Sequence, residues 1–379
     1  MIRLRKPKPI VLIAGGGTAG HLIPGLAVAQ ALVKAGWPRE DIRFMGSDRG
    51  VEKLMVPEAG FLLTTFPGRG YNRRQVSFQN LKNLLKLILG ILKGVWSVYR
   101  INPAAVLCLG GYAALPASVG AAIKSTPLII SEQNAAASAT NRLLARFAKV
   151  SAVPIVGTGL VREVATGNPV RELVHEAKQN RNKTRVKRGW PESTQVVVIF
   201  GGSLGAASLN RAVWEATDQI AARSSVLFYH VVGERDWEQR PKVLAENYVA
   251  VQYDHDLPNS LGAADFAICR AGGSTVAELQ ILQVPCLLIP LPFAPNNHQQ
   301  RNAEMLEKIG LGKILKDAAL DSIALITEID LALAAYPQRK KQLIDEKVPP
   351  NAAKAVSELI VRHALEIPAD LDRKAFGSD

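Results

Sequence analysis

Apolar residues fall in short β-branched runs that alternate with stretches of helical period along most of the chain. The runs Ile10–Ala14, Ile42–Met45, Ala105–Leu109, Leu128–Ile130, Val196–Phe200, Val226–Val231, Phe266–Cys269 and Cys286–Ile289 predict strands. Because they lack polar alternation, these strands are expected to be buried on both faces, in parallel sheets of βαβ units. Near the start, VLIAGGGTAGH leads into the helical pattern PGLAVAQALVKAG; in the middle, VVVIFGGSLGAASLN repeats strand, glycine loop and helix. Two such openings predict two Rossmann-like domains in tandem. The stretch from about Glu172 to Ser193 is polar and basic, lacks strand pattern and reads as a linker. The expected division is 1–170, 171–350, and a C-terminal helix and tail over 351–379 that packs back on the first domain. That helix is expected from about Ala352 to Ala364.

A chain of 379 residues has room for two cores, and 48% hydrophobic with 21% charged residues is a folded composition. Cys108, Cys269 and Cys286 lie in apolar runs without paired spacing, as reduced, buried thiols do. No Cys/His cluster has metal-ligand spacing, so neither a metal nor another cofactor is expected. The net charge of +13 calls for an anionic partner, and much of the excess lies in Arg3–Lys8, Arg69–Lys93 and Arg181–Arg188. No nucleic-acid module accompanies it, which leaves anionic lipid and phosphorylated substrates. The basic, then apolar N-terminus breaks into glycines and reads as a first strand rather than a secretion signal. No apolar run reaches transmembrane length. The chain is therefore expected inside the cell.

Gly15, Gly17 and Gly20 have the spacing of a loop that brings backbone amides close to a diphosphate. Tight strand–helix packing is the plain alternative. A nicotinamide dehydrogenase is another, although its ribose-binding acid would have to be Asp48, somewhat late. His21, directly after the loop, points instead to proton transfer. The second loop, Gly201–Gly205, offers its amides and the Ser203 hydroxyl. In the third, Arg270–Glu278 with Gly273, Ser274 and Thr275, Glu278 is either a ribose-binding carboxylate or the capping-box partner of Thr275. Polar clusters at Gly110-Gly111-Tyr112, Glu132-Gln133-Asn134, Gly167–Arg171 and Asn296–Gln300 follow strands, where open α/β sheets bind ligands.

Taken in order, GGGTAGHLIPGLAVA, GGYAALPA, SEQNAAASATNRLLA, GNPVR, FGGSLGAASLN, CRAGGSTVAEL and NNHQQRNA resemble the MurG family of N-acetylglucosaminyltransferases over nearly the whole chain. The resemblance implies a GT-B fold, two Rossmann-like domains facing across a cleft. It also implies inverting transfer from UDP-N-acetylglucosamine to lipid I, giving the peptidoglycan precursor lipid II. Thr18, Ala19, Gly20, Asn134, Arg171, Ser203 and Gln299 carry over as donor-site positions, with Gly273, Ser274 and Thr275 in the third loop. Glu278 carries over as the ribose carboxylate and Tyr253 as a backbone contact to uracil. Where the family reads GGTGGH, this chain has Ala19 in place of a glycine, which adds a methyl group at the loop.

The mechanism expected is abstraction of the acceptor C4 hydroxyl proton by His21, with Glu132 as the fallback base. The leaving UDP would be held by loop amides and Ser203. From Leu81 to Tyr99, apolar residues at helical spacing with interleaved lysines suit an anionic bilayer surface. Arg73, Arg74, Lys82, Lys86 and Trp96 form the expected patch, against the alternative of an ordinary core-facing helix. The expected place is the cytoplasmic face of the membrane, beside cell-wall synthesis and division proteins. Rival readings are a glycolipid or natural-product glycosyltransferase of the same fold and a non-catalytic UDP-sugar-binding subunit.

Overall fold

Each predicted strand run forms a strand whose ends agree within two residues. The computed structural model describes residues 9–67, 78–202, 204–242, 245–345 and 349–366. It divides into two units, Met1–Arg171 with Pro350–Asp379, and Glu172–Pro349.

The first unit runs β1 (Val11–Ala14), α1 (Ala19–Lys34), β2 (Ile42–Ser47), α2 (Glu52–Glu58), β3 (Leu62–Phe66) and α3 (Phe78–Ile101). It continues with β4 (Ala105–Cys108), α4 (Leu115–Lys124), β5 (Leu128–Ser131), α5 (Ala139–Ala145), β6 (Val150–Val153) and β7 (Glu163–Ala165). All its pairings are parallel, in the order β3-β2-β1-β4-β5-β6-β7, so the order reverses between β1 and β4. Alternate residues of the central strands feed two cores. Val11, Ile13, Leu107 and Ile129 face one, Leu12, Ala14, Val106 and Ile130 the other, and all are fully buried. Burying each such side chain is worth about 1.5–3 kcal/mol, which is why the runs show no polar alternation.

The second unit opens with α6 (Glu172–Gln179) and α7 (Arg181–Arg188), then β8 (Gln195–Phe200), α8 (Ala207–Glu215), α9 (Thr217–Ala221), β9 (Val226–Val231) and β10 (Tyr248–Val251). There follow α10 (Leu257–Ala263), β11 (Phe266–Cys269), α11 (Gly273–Leu282), β12 (Cys286–Leu288), α12 (His298–Lys308), β13 (Gly312–Ile314) and α13 (Ser322–Asp345). Its sheet is also parallel, in the order β10-β9-β8-β11-β12-β13, and reverses between β8 and β11. α14 (Ala352–Ala364) belongs to the first unit, where Val356 and Ile360 are fully buried in the core beside α1. The side chain of Asn351 caps it, accepting the Lys354 N–H at 3.0 Å.

The stretch expected as a linker is helical instead. Val174 and Ala177 of α6 are buried, and Arg181 and Arg185 of α7 both pair with the buried Asp265. Arg188 pairs with Asp254 at 2.9 Å, and Lys187 lies 3.6 Å from Asp256. The basic run read as surplus charge for an outside anion is largely neutralised within its own unit. A polar, arginine-rich segment hides a buried clamp because the acids that complete it lie far along the sequence.

Candidate active site

In the first unit, the chain leaves β1 through Gly15, Gly16 and Gly17, whose φ angles are all positive. A Cβ on Gly17, at φ +83°, would also stand 3.3 Å from the Tyr112 ring. Thr18 is the N-cap of α1 in extended conformation, yet its side chain makes no capping bond. Its Oγ1 lies 2.9 Å from Nδ1 of His21, the third residue of the helix. The other edge of the imidazole faces the turn after β4: a Cβ on Gly111 would lie 4.0 Å from His21 Cε1 and Nε2. Gly20 is exposed, and a methyl there would meet only Thr18 Oγ1, at 3.9 Å. The protein itself therefore does not require glycine at position 20. Ala19 is half-buried on the same turn.

Glu52, which the sequence reading did not single out, backs this loop from inside. Its Oε2 accepts the Gly17 N–H at 2.7 Å and its Oε1 accepts the Ser47 N–H at 2.8 Å. The Gly17 amide is thus spent on the protein and is not offered to a ligand. Nothing in the segment GSDRGVEKL distinguishes a buried acid from an ordinary first-turn glutamate.

The strand ends beside the loop are tied together by a second buried carboxylate. Glu132 follows β5 and is 1% exposed. Its Oε1 accepts the Gln133 N–H, the Asn134 N–H and Asn134 Nδ2, each at 3.1 Å. Its Oε2 accepts the Ser138 N–H at 2.9 Å and Asn141 Nδ2 at 2.8 Å. So saturated, Glu132 holds the 133–141 loop and has no lone pair directed at a substrate. This geometry argues against its fallback role as base. Asn141 also lies under Gly110, where a Cβ would approach its Nδ2 to 3.0 Å. Contacts thus run from His21 through Gly111 and Gly110 to Asn141, Glu132 and Asn134. Asn168 is buried and reaches the Gln133 carbonyl at 3.4 Å, while Arg171 closes the unit.

In the second unit, Gly201, Gly202 and Gly205 follow β8; Ser203 lies outside the described residues. Beneath them runs a buried polar chain. His230 Nδ1 is 2.6 Å from the Tyr248 hydroxyl and Nε2 is 3.0 Å from Asn210 Oδ1. Asn210 Nδ2 in turn donates to the Val232 carbonyl at 3.0 Å and to Asp236 at 2.9 Å. Because Asn210 Oδ1 can only accept, Nε2 carries the hydrogen and Nδ1 receives the Tyr248 hydroxyl. Burial holds His230 neutral, its pKa pushed down to about 3.

α11 starts at Gly273 with Gly272 as its N-cap and no side-chain cap. Thr275 is therefore already inside the helix, and the capping-box alternative for Glu278 fails. Glu278 instead lies one turn in, 8% exposed. The Ser274 hydroxyl is buried with no hydrogen-bond partner among the described residues. Arg270 is fixed by the Ile289 carbonyl at 3.0 Å, Asp317 at 2.6 Å and Ser208 at 2.7 Å. Gln299, at the start of α12, accepts the Leu291 N–H through Oε1 at 2.9 Å, which leaves its –NH2 for a ligand. Tyr253 follows β10, half-exposed and edge-on to His255. Tyr253 and Arg270 follow the carboxyl ends of β10 and β11, and α11 and α12 carry the rest. A groove of about 990 Å³ lined by Arg188, Trp190, Tyr229 and Val249 contains none of them. Among the described residues, no group of three or more His, Cys, Asp or Glu is placed to hold a metal ion.

α3 shows two contrasting faces. Gly94 and Val98 pack on α4, where a Cβ on Gly94 would stand 2.3 Å from Pro116 Cβ. On the other face Leu85, Ile88, Leu89, Leu92, Trp96 and Tyr99 are 45–62% exposed, at helical spacing. Lys86 is exposed, Arg100 stacks on Trp96 and Lys124 on Tyr99. Arg73 and Arg74 lie outside the described residues, as does the side chain of Lys82. Among the described residues no helix is long and apolar enough to cross a membrane.

Comparison with known proteins agrees with this architecture. The glycosyltransferase family 28 N-terminal domain matches residues 11–153 and the family 28 C-terminal domain residues 196–359. The chain is 34% identical over 353 residues to a protein of Desulforudis audaxviator, covering 88% of this chain and 94% of that one. It is 37% identical over 317 residues to one of Carboxydothermus hydrogenoformans, covering 81% and 84%. Both carry the name UDP-N-acetylglucosamine–N-acetylmuramyl-(pentapeptide) pyrophosphoryl-undecaprenol N-acetylglucosamine transferase. Among solved structures, Acinetobacter baumannii MurG superimposes with a TM-score of 0.72 at 25% identity, covering 94% of this chain and 100% of that one. A putative UDP-N-acetylglucosamine 2-epimerase from Listeria monocytogenes, 14% identical with a TM-score of 0.69 and coverage of 95% and 98%, shares the fold alone. Two parallel sheets, matched by both family 28 domains and by relatives 34–37% identical over most of the chain, make the chain a member of the MurG family within glycosyltransferase family 28.

Proposed function

We propose that the chain transfers N-acetylglucosamine, with inversion, from UDP-N-acetylglucosamine to the C4 hydroxyl of undecaprenyl-pyrophosphoryl-N-acetylmuramoyl-pentapeptide, converting lipid I to lipid II. The observation that carries the reading is the Thr18–His21 pair, set where the strand order of the first sheet reverses, in a chain of this family. In an inverting displacement the acceptor oxygen loses its proton as it attacks the anomeric carbon and UDP departs from the opposite side. When Nδ1–H of His21 donates to Thr18 Oγ1, Nε2 bears the lone pair, which is the tautomer a base requires. The acceptor proton passes to Nε2 and the departing diphosphate takes up the negative charge.

The second unit is the donor side. Orphan amides at the N-termini of α8 and α11 suit the diphosphate, and Ser203 and Ser274 add hydroxyls. Glu278 accepts hydrogen bonds from the ribose, Gln299 donates its –NH2 to the sugar, and the Tyr253 backbone meets uracil, with Gly273 and Thr275 lining the turn. In the first unit, Thr18, Ala19, Gly20, Asn134 and Arg171 match the family's donor-site positions. The exposed face of α3 seats the protein peripherally on the cytoplasmic face of the membrane, aided by Arg73, Arg74, Lys82, Lys86 and Trp96.

The test is turnover with radiolabelled UDP-N-acetylglucosamine and a lipid I analogue. His21→Ala is expected to lower it by about 10²–10⁴-fold with donor affinity kept, the usual contribution of a positioned base. Near-normal turnover of that variant rejects the assignment, and no product from the native chain rejects the reaction.

A further inference from the structure

Glu52 is fully buried, the first residue of α2, and among the described residues it forms no ion pair. Glycine backbones surround its carboxyl group. A Cβ on Gly16 would lie 2.3 Å from Glu52 Cδ, one on Gly50 2.0 Å from Oε2, and one on Gly46 2.8 Å from Cγ. Three glycines, one in the loop after β1, one in β2 and one in the turn before α2, thus leave room for one acid. The acid uses its two oxygens to join the glycine loop to the end of β2, through the Gly17 and Ser47 amides. Ser47 continues the tie, because its Oγ accepts the Tyr112 hydroxyl at 3.1 Å and the Tyr112 ring lies against Gly17. The loop that carries Thr18 and His21 is therefore fixed from below by Glu52 and from the side by Tyr112.

A hydrophobic residue would fill that volume more cheaply if packing were the only requirement, since a buried acid costs free energy unless it is well bonded. What the carboxylate adds is acceptance of two amides from two elements at once, followed one residue later by the N-cap whose hydroxyl orients the imidazole. We propose that Glu52 is a positioning residue of the transfer reaction, holding Gly17 so that Thr18 keeps His21 in its base tautomer. The proposal rests on His21 acting as base. It predicts that the effect of Glu52 is transmitted through His21.

Glutamine at position 52 is nearly isosteric. Its carbonyl can accept one of the two amides, while its –NH2 must then face the other N–H, so the loop has to shift. Turnover should be measured for the native chain, Glu52→Gln, His21→Ala and the double variant, well below the unfolding midpoint of each. Glu52→Gln is expected to lose about 10–100-fold in kcat on its own and under threefold in the His21→Ala background. Loss by the same factor in both backgrounds, or no loss in either, overturns the proposal. Normal turnover of His21→Ala instead removes the base assignment on which it rests. Should Glu52→Gln not fold, Glu52→Asp serves the same cycle, with a smaller loss in the native background and the same requirement of silence without His21.

Discussion

Asp265 is where the basic stretch before β8 meets the second sheet, and replacing it with asparagine tests whether that stretch is a clamp. The carboxylate is 4% exposed and takes the Arg181 guanidinium at 2.6 Å, the Arg185 guanidinium and the Val196 N–H at 2.8 Å. Burial alone would raise its pKa, yet Arg181, the Val196 amide, Tyr336 and Arg185 together hold it below the ordinary carboxylate range. Arg185 cannot turn away, because it also donates to the carbonyls of Ala263, Pro191, Glu192 and Thr194. Asparagine would leave two guanidinium groups around a neutral amide that can accept from only one of them. Breaking a buried pair from one side costs about 3–5 kcal/mol, and the partly exposed Arg181 argues for the lower half of that range. With a urea slope of about 2 kcal/mol per M, the midpoint of the second unit should fall by about 1.5–2 M. Trp190, whose N–H bonds the Arg185 carbonyl at 2.8 Å, reports the transition by fluorescence. The first unit, followed through hydrogen exchange in α1 and α14, should unfold at its native midpoint. A shift under 0.5 M (roughly 1 kcal/mol at that slope), or an equal shift in both units, would refute the clamp.

Two further outcomes are expected. Leu89→Glu with Leu92→Glu should weaken binding to anionic vesicles by more than about tenfold, since each buried leucine contributes about 1.5–3 kcal/mol, while the exposed position leaves Tm unchanged; unaltered sedimentation with vesicles sinks the membrane face. His230 has a folded pKa below its unfolded value, so between about pH 6.5 and 3 the unfolded chain binds more protons and stability is lost as pH falls, by up to about 1.4 kcal/mol per pH unit; in acid titration of the urea midpoint, His230→Gln should flatten this slope, and an unchanged slope discards the assignment.

The fold was legible because burial on both faces leaves its mark in uninterrupted apolar runs. Of the strands the sequence reading passed over (β3, β6, β7, β10 and β13), only β10, Tyr-Val-Ala-Val, is an uninterrupted apolar run, and it is only partly buried; threonines interrupt β3 and a serine β6. β7 has only three residues, partly or fully exposed, and β13 reads Gly-Lys-Ile and is half-covered. α6 was hidden because it buries only Val174 and Ala177, and α7 because its anchors are polar: arginine bound to a distant aspartate looks the same in sequence as arginine in water. The places of the glycine loops after β1, β8 and β11, and of His21 in the first turn of α1, were legible from spacing alone. The roles of Glu132 and Glu278 were not, since each depends on where neighbouring amides point. Glu132 turns inward to five donors, whereas Glu278 sits past the first turn of its helix and cannot cap it.

The echo between the two glycine loops conceals an electrostatic difference that bears on how they divide the reaction. Under the first loop lies Glu52, an acid without an ion pair among the described residues, bonded to the Gly17 amide. Under the second lie Asn210 and a neutral His230, and the nearest acid, Asp236, is bound by Arg235 at 2.7 Å. A diphosphate brought to the first loop meets a buried carboxyl group and finds one amide already taken. At the second it meets a neutralised floor and the open N-terminus of α8. Amide availability therefore favours the second loop for the leaving UDP, even though both are written in the sequence as a strand, a few glycines and a helix.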